Sequence, residues 1–234
     1  MPRHKIYSDV LLFFMDNIQT NLITRLDYLI GFLDISSKES FEKVKGHKLT
    51  EGFKNVGEIY NSEYSIYRNQ ITVSAFLLGY SYFEAFLADL MIICLTKNPK
   101  LLIPKGKNQN KDKVVTYNQI LLADSYERLV NELIEKEARN VMYKPMTEIL
   151  DYFSRRLKLT WDENVNEEFV IANKIRNCCM HNNCIADKYL VAKDSRFTDG
   201  EEIELSSTDV HSFGTKARKL SRELWGAAKL KYDL

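Results

Sequence analysis

The sequence predicts an all-α protein built as an antiparallel bundle of helices. Along most of the chain, apolar residues recur at every third or fourth position, which is the spacing of one face of a helix. The 234 residues include only nine Gly and four Pro, too few for a loop-rich sandwich, a propeller or a nucleotide-binding fold with Gly-rich loops. Because the length suits one large domain, we expect a single domain over residues 1–234, with a Lys-rich insertion at about 98–115.

Two long helices are predicted in the first half of the chain. The first covers about residues 7–33, where apolar side chains recur from Tyr7 to Leu33, and the second covers about 61–97. A polar connection at 36–52 separates them. Asn98-Pro99 ends the second helix, because proline disfavours the α conformation in the residue that precedes it.

The second of these helices is apolar enough to suggest a membrane span. Glu84 and Asp89 lie within its apolar stretch 71–95, however, and each carboxylate would cost about 3 kcal/mol at the centre of a bilayer. We therefore expect a buried core helix and no membrane contact. The apolar run 10–15 is too short, and too closely bracketed by acidic residues, to be a signal peptide.

Shorter helices are predicted in the second half of the chain. They cover about 125–139, 144–157 and 161–182, and a terminal helix ends near Tyr232. Ser206-Ser207-Thr208 supplies hydroxyl groups that are typical of a helix N-cap. Between the helix at 161–182 and the terminal helix, residues 185–205 form a short mixed segment, in which Tyr189-Leu-Val and Ile203-Glu-Leu have the composition of a short hairpin.

Charge and cysteine content describe the class of protein but not its function. The formal net charge is +1, from 33 Lys+Arg and 32 Asp+Glu, so the chain is not strongly basic overall, although a local basic patch is not excluded. The four cysteines, Cys94, Cys178, Cys179 and Cys184, are far too few for a disulfide scaffold. We expect reduced thiols in a cytoplasmic protein.

The segment richest in chemically active side chains runs from Lys174 to Cys184. Arg176 offers a planar fork of donors suited to phosphate oxygens, and His181 titrates near neutral pH and can transfer protons. On a straight helix these two side chains point about 140° apart, whereas Asn177 and His181 share a face. Arg176 must therefore reach around the helix, or the helix end must unwind, or a second copy of the chain must complete the site.

An acidic residue on the second long helix is the predicted partner of this segment. Glu84 falls on the apolar stripe that Tyr80, Leu87 and Met91 share. A carboxylate is costly there unless a cation or hydrogen-bond donor faces it. Arg176 or His181 would supply that partner.

Arg176-Asn177-Cys178-Cys179-Met180-His181 resembles the R-N-x-x-x-H signature of the HEPN superfamily of α-helical ribonucleases. The likeness covers about 70–95 and 165–185 at the level of motifs. It implies a helical bundle and a homodimer in which two copies of the motif form one composite, metal-independent site that cuts RNA. It also implies a toxin or antiviral effector with an antitoxin or sensor partner. One branch of the family carries Tyr two residues after the His, where this chain has Asn183.

The resemblance also implies the roles of the site residues. The RNA 2′-hydroxyl would attack the adjacent phosphorus, His181 would transfer protons, and Arg176 would stabilise charge on the phosphate oxygens. Asn177 would orient His181 or hold the phosphate, and Glu84 would fix Arg176 or His181. No cofactor or metal is expected. The alternative is a non-catalytic binding or regulatory module with the same fold, in which Arg176 and His181 only cap the last carbonyl groups of a helix.

Other patterns have simpler interpretations. Cys178, His181 and Cys184 share a helix face, but a straight helix rarely brings three such residues to one zinc ion, and we expect small buried thiols instead. Cys178 lacks an orienting group for nucleophilic catalysis.

The insertion at 98–115 is rich in lysine; its residues either contact RNA phosphates or form a solvated loop. The lysines that we assign to RNA binding are Lys105, Lys107, Lys111 and Lys113.

Overall fold

The computed structural model describes residues 18–20, 22, 23, 25–27, 56–103 and 115–234. Most of the predicted first helix, the connection at 36–52 and most of the Lys-rich insertion, including Lys105, Lys107, Lys111 and Lys113, lie outside the described residues. The described part is mostly helical and contains no strand, which confirms the all-α prediction. The antiparallel arrangement and the single domain stay predictions.

The described residues before 56 are helical, and seven further α-helices follow them in the described ranges. These helices are α1 (Val56–Lys97), α2 (Tyr117–Leu121), α3 (Tyr126–Met142), α4 (Met146–Asp151), α5 (Asn166–His181), α6 (Lys188–Val191) and α7 (Ser207–Tyr232). Single turns of tighter 3-10 helix occupy Pro99–Leu102 and Glu163–Val165, and a wider π-helical turn occupies Tyr152–Arg156.

Several predicted helix ends are confirmed. Helix α1 ends at Lys97, directly before Asn98-Pro99. Ser125 caps α3 by accepting a hydrogen bond from the Arg128 amide. At the start of α7, the Ser206 amide donates to Asp209 Oδ2 at 2.8 Å, and the Asp209 amide donates back to Ser206 Oγ at 3.2 Å. This reciprocal cap satisfies amide groups that the first turn of a helix leaves unpaired.

Two helical elements differ from the sequence prediction. The continuous helix expected at 144–157 is instead α4 followed by the π-helical turn, which the Leu157 amide closes by donating to the Tyr152 carbonyl at 3.0 Å. Helix α2 was not predicted. Its Tyr117 and Leu121 are 85% and 79% exposed, so it lacks the buried apolar stripe on which periodicity depends.

The predicted hairpin is wrong. Tyr189-Leu-Val forms part of α6, because Asp187 Oδ1 accepts hydrogen bonds from the Tyr189 and Leu190 amides and so starts a helix there. Only an isolated bridge between Ile185 and Glu202 occurs among the described residues. The segment 203–205 is held instead by the Asn69 side chain, which donates to the Ile203 carbonyl and accepts from the Leu205 amide, both at 3.0 Å.

The chain divides into two compact units. The first unit comprises Met1–Gln19, Glu84–Val170 and Leu220–Leu234. Within it, Tyr232 Oη donates to the Leu157 carbonyl at 2.6 Å. Its core contains fully buried side chains from several helices, including Leu87, Leu90, Met91, Phe153 and Leu224.

The second unit comprises Thr20–Phe83 and Ile171–Lys219. An aromatic cluster forms its core, in which the Phe213 ring centroid lies 5.3 Å from that of Phe76, 5.8 Å from that of Tyr80 and 6.2 Å from that of Phe83. Such aromatic pairs contribute about 0.5–1.5 kcal/mol each beyond their buried area. The unit therefore has an apolar core of its own.

One stretch of the described residues, Arg68–Lys97 in α1, is long and apolar enough to cross a membrane by length and composition alone. Its Leu87, Leu90 and Met91 side chains are nevertheless wholly buried inside the protein. The core helix of a soluble protein has the same composition, so the structure is consistent with the core helix predicted from the sequence. The cytoplasmic location stays a prediction.

Candidate functional site

Helix α5 carries the predicted motif, and its sequence explains why it forms. Glu167 and Glu168 lie in its first turn, where carboxylates interact favourably with the positive end of the helix dipole, and His181 lies in its last turn. Phe169 and Ile175 are 1% and 4% exposed. The helix is thus anchored by an apolar face, and the motif occupies its last six residues.

Arg176 and Asn177 are in direct contact. The Arg176 guanidinium Nη1 donates a hydrogen bond to Asn177 Oδ1 at 3.0 Å, and both side chains are half-buried. Successive residues of a helix are 100° apart, so Asn177 lies between Arg176 and His181 around the axis, about 40° from His181. The hydrogen bond therefore draws the guanidinium toward the side of the helix that Asn177 and His181 share.

His181 is the last residue of α5 and is exposed to solvent. Within the described part of the chain, its imidazole forms no hydrogen bond and no ion pair. Helix α5 stays helical as far as His181, so unwinding of the helix end does not bring Arg176 and His181 together. Two ways to bring these groups into one site are left. Either the Arg176 side chain reaches around the helix, or a second copy of the chain completes the site.

The chain turns sharply after His181. The Asn182 amide donates to the Cys178 carbonyl at 2.9 Å, and the Asn182 side chain donates to the Ile185 carbonyl at 2.8 Å. Asn183 has φ of 50°, in the left-handed region. Asn tolerates this conformation better than a bulky side chain does, so Asn183 suits this turn.

The cysteines near the motif are free thiols. Burial is the largest cause that raises the pKa of the Cys178 thiol. Burial, followed by the adjacent Cys184 thiol, raises the pKa of Cys179 well above its ordinary value. A raised pKa lowers the fraction of reactive thiolate at Cys178 and Cys179, which disfavours these two residues as nucleophiles. Among the described residues, no group of three or more His, Cys, Asp or Glu side chains is placed to hold a metal ion.

The structure leaves the placement of the remaining predicted site residues at the motif untested. Glu84 is half-buried on α1 and belongs to the first unit, whereas Arg176 and His181 belong to the second. The pairing of Glu84 with either residue stays a prediction. Lys105, Lys107, Lys111 and Lys113 lie outside the described residues, so their RNA-binding role also stays a prediction.

Two contacts near the motif were not predicted. Asn173 Nδ2 donates to the buried Tyr80 hydroxyl at 3.0 Å, which ties α5 to α1 within the second unit. The Lys174 ammonium lies 5.4 Å from the centroid of the Tyr189 ring. The sequence could have shown that Lys174 and His181 share a helix face, because they are seven residues apart. It could not have shown that Tyr189 approaches Lys174, because that contact depends on the turn after α5.

No family model, no curated protein and no solved structure matches this chain. The resemblance to the HEPN superfamily therefore rests on the motif residues themselves.

Proposed function

We propose that this chain is a metal-independent RNA endonuclease of the HEPN type, with Arg176, Asn177 and His181 as its catalytic residues. The observation that carries the proposal is the hydrogen bond from Arg176 to Asn177 at 3.0 Å, on the helix that ends in the exposed His181. A cation, an amide and a proton-transfer group thereby lie within one and a half helical turns of each other.

The chemistry that suits these groups is transesterification. The 2′-hydroxyl oxygen attacks the adjacent phosphorus, and the bond from phosphorus to the 5′-oxygen of the next nucleotide breaks. An imidazole takes the proton of the 2′-hydroxyl, and an imidazolium gives a proton to the leaving oxygen. The products are a 2′,3′-cyclic phosphate and a 5′-hydroxyl. The Arg176 guanidinium stabilises the charge that develops on the phosphate oxygens.

A homodimer would supply the second imidazole that one motif lacks. The base and the acid act on opposite sides of the phosphorus in the same step, so two imidazoles serve the reaction better than one. Among the described residues, the second unit holds two histidines, His181 and His211, and His211 lies on α7 outside the motif. A second copy of the chain would contribute the second His181, in a composite site that contains both motifs.

The biological role that the resemblance suggests is that of a toxin or phage-defence effector in the cytoplasm. An enzyme that cuts cellular RNA harms its own cell unless it is restrained, so an antitoxin or a sensor partner belongs to this proposal. Glu84 is assigned the role of positioning Arg176 or His181.

The products of the reaction test the proposal. Purified protein is incubated with single-stranded RNA in excess EDTA, and the 3′ ends are analysed by mass spectrometry. We expect cleavage with cyclic-phosphate ends, from a protein that sediments as a dimer. Cleavage that EDTA abolishes, or 3′-hydroxyl products, would contradict the mechanism. A monomer that binds RNA without cutting it would favour the non-catalytic binding module.

A further inference from the structure

A solvent-exposed aromatic ring lies beside two lysines on the same unit as His181. The Tyr189 side chain is 59% exposed. The ammonium group of Lys174 lies 5.4 Å from its ring centroid, and that of Lys188 lies 5.2 Å from it. We call these three residues the Tyr189 cluster.

The Tyr189 cluster is held in place by its neighbours. Asp187 Oδ1 accepts hydrogen bonds from the Tyr189 amide at 2.9 Å and from the Leu190 amide at 2.8 Å. Leu190 is fully buried. The backbone of Tyr189 is therefore fixed by a cap and by an apolar anchor, while its ring faces solvent.

The cluster lies on the His181 side of α5. Lys174 and His181 are seven residues apart, so their side chains point in directions about 20° apart and are separated by about 10 Å along the helix axis. A single RNA strand that places one phosphate at His181 can therefore place a neighbouring nucleotide at Tyr189.

The charge of the cluster is available to an anion. Neither Lys174 nor Lys188 forms an ion pair with any residue in the described part of the chain, and both ammonium groups lie within about 11 Å of each other because they share one ring. The Oδ1 atom of Asp187, on the residue before Lys188, is engaged by the two amides that it caps. An exposed contact of an ammonium with an aromatic ring is weak, so a phosphate can draw the flexible lysine side chains away from the ring.

We propose that the Tyr189 cluster binds one nucleotide of a single-stranded RNA beside the phosphate that is cut. The base stacks on the Tyr189 ring, and Lys174 and Lys188 contact the flanking phosphates. Exposed aromatic rings with adjacent cations bind single strands in this way, because an unpaired base has a free π-face and a paired base does not. The inference rests on the proposed function, since it takes the strand at His181 to be RNA.

Binding is measured in a His181→Ala background, so that the probe is not cut. The probe is a short, fluorescein-labelled oligoadenylate, followed by fluorescence anisotropy. We expect Tyr189→Leu to weaken binding by roughly 5- to 100-fold, because stacking of one base contributes about 1–3 kcal/mol. Tyr189→Phe retains the ring, and we expect its affinity to stay within about twofold of the parent. The matched control is Tyr143→Leu, which removes another exposed tyrosine and should leave affinity unchanged.

A spectroscopic test separates stacking from a merely structural role. The fluorescence of Trp161 and Trp225, measured in the parent protein, is subtracted from that of Tyr189→Trp. We expect oligoadenylate to quench the remaining indole fluorescence and blunt-ended duplex RNA to leave it unchanged. Equal affinity of Tyr189→Leu and the parent would overturn the inference. So would loss of affinity in Tyr189→Phe, or the absence of quenching in a folded Tyr189→Trp.

Failure of this inference can be distinguished from failure of the nuclease proposal. If the wild-type protein cuts no RNA but Tyr189→Leu lowers its affinity for oligoadenylate, the cluster binds single strands and the nuclease proposal fails. If cleavage depends on His181 while Tyr189→Leu alters neither binding nor cleavage, the nuclease proposal stands and the inference about Tyr189 fails.

Discussion

The guanidinium of Arg176 donates a hydrogen bond to the side-chain carbonyl of Asn177, its immediate neighbour on α5, at 3.0 Å. Neighbouring residues on a helix point 100° apart, so this contact requires the long Arg176 side chain to bend around the helix toward Asn177. Asn177 shares a face with His181. In this account Asn177 positions the guanidinium on the side of the helix where His181 transfers protons.

Removal of Asn177 should therefore impair cleavage through Arg176. We expect Asn177→Ala to lower the cleavage rate by about 10- to 100-fold, since a hydrogen bond to a charged group contributes about 1.5–3 kcal/mol. Asn177→Gln keeps a neutral amide oxygen as the acceptor and should recover part of that loss. The assay is single-turnover cleavage of labelled RNA. Asn140→Ala, an exposed asparagine on α3, is the matched control, and an equal loss in that variant would contradict the positioning role.

The contacts of Asn69 predict a stability effect. Asn69 donates to the Ile203 carbonyl and accepts from the Leu205 amide, both at 3.0 Å, and Leu205 is buried. Asn69→Ala leaves these groups without their partner, so we expect it to lower the free energy of unfolding by about 2 kcal/mol. Urea denaturation measures this change. Gln70→Ala, at the exposed neighbouring position, should change stability by less than about 0.5 kcal/mol, and equal effects of the two variants would refute the assignment.

The ion pairs of Arg196 predict a dependence of stability on pH. Hydrogen bonding to Arg196 is the largest cause that lowers the pKa of Asp194. Burial raises the pKa of Asp209, but hydrogen bonds from Ser206 and Arg196 outweigh it and the net pKa is lowered. A lowered carboxyl pKa stabilises the folded state above the ordinary value of 3.8, and this contribution is lost as the pH falls below it.

We therefore expect Arg196→Gln to be less stable than the wild-type protein by at most about 1 kcal/mol at neutral pH, because Arg196 is largely exposed. The difference should shrink as the pH falls below 3.8. Thermal unfolding across this range provides the measurement. The control is Arg155→Gln, whose pair with Asp151 is a simple i, i+4 surface pair. If the difference in stability between Arg196→Gln and the wild-type protein grew as the pH fell, the assignment of these ion pairs would be wrong.

The burial of Cys94 predicts its reactivity. Burial raises the pKa of the Cys94 thiol to about 12, so only about one molecule in ten thousand carries the reactive thiolate near pH 8. Iodoacetamide should alkylate the half-buried Cys184 while Cys94 stays unmodified, as read by mass spectrometry of peptides. Unfolding in urea should expose both thiols. Labelling of Cys94 at the same rate as Cys184 in the folded protein would contradict the burial of the Cys94 thiol.

The elements that the sequence predicted correctly depend on local signals. Asn98-Pro99 ends α1, and the hydroxyl of Ser206 caps α7, because each signal acts within a few residues. The predicted hairpin failed for two reasons, of which the first is local, since Asp187 caps a helix at Tyr189 and Leu190. The second is a distant contact. Asn69, more than 130 residues earlier in the chain, takes the hydrogen bonds of Ile203 and Leu205, and neither composition nor periodicity reports a contact at that distance.

The same distinction applies to the candidate site. Arg176, Asn177 and His181 could be found from the sequence because they lie within six residues of one helix. The contact between Arg176 and Asn177 could not be predicted, because it depends on the conformation of the long Arg176 side chain, and helix geometry alone places the two residues 100° apart. The approach of Tyr189 to Lys174 depends on the left-handed turn through Asn183 and Cys184, a conformation that is uncommon for residues other than glycine.

Cleavage of RNA by His181→Ala, compared with the wild-type protein in EDTA, tests the central claim most directly. We expect the rate to fall by about 10²- to 10⁴-fold, the usual contribution of a general acid–base group. Met180→Ala, which alters the exposed neighbouring residue on the same helix, should cut RNA at the wild-type rate. Undiminished cleavage by folded, purified His181→Ala would contradict the account.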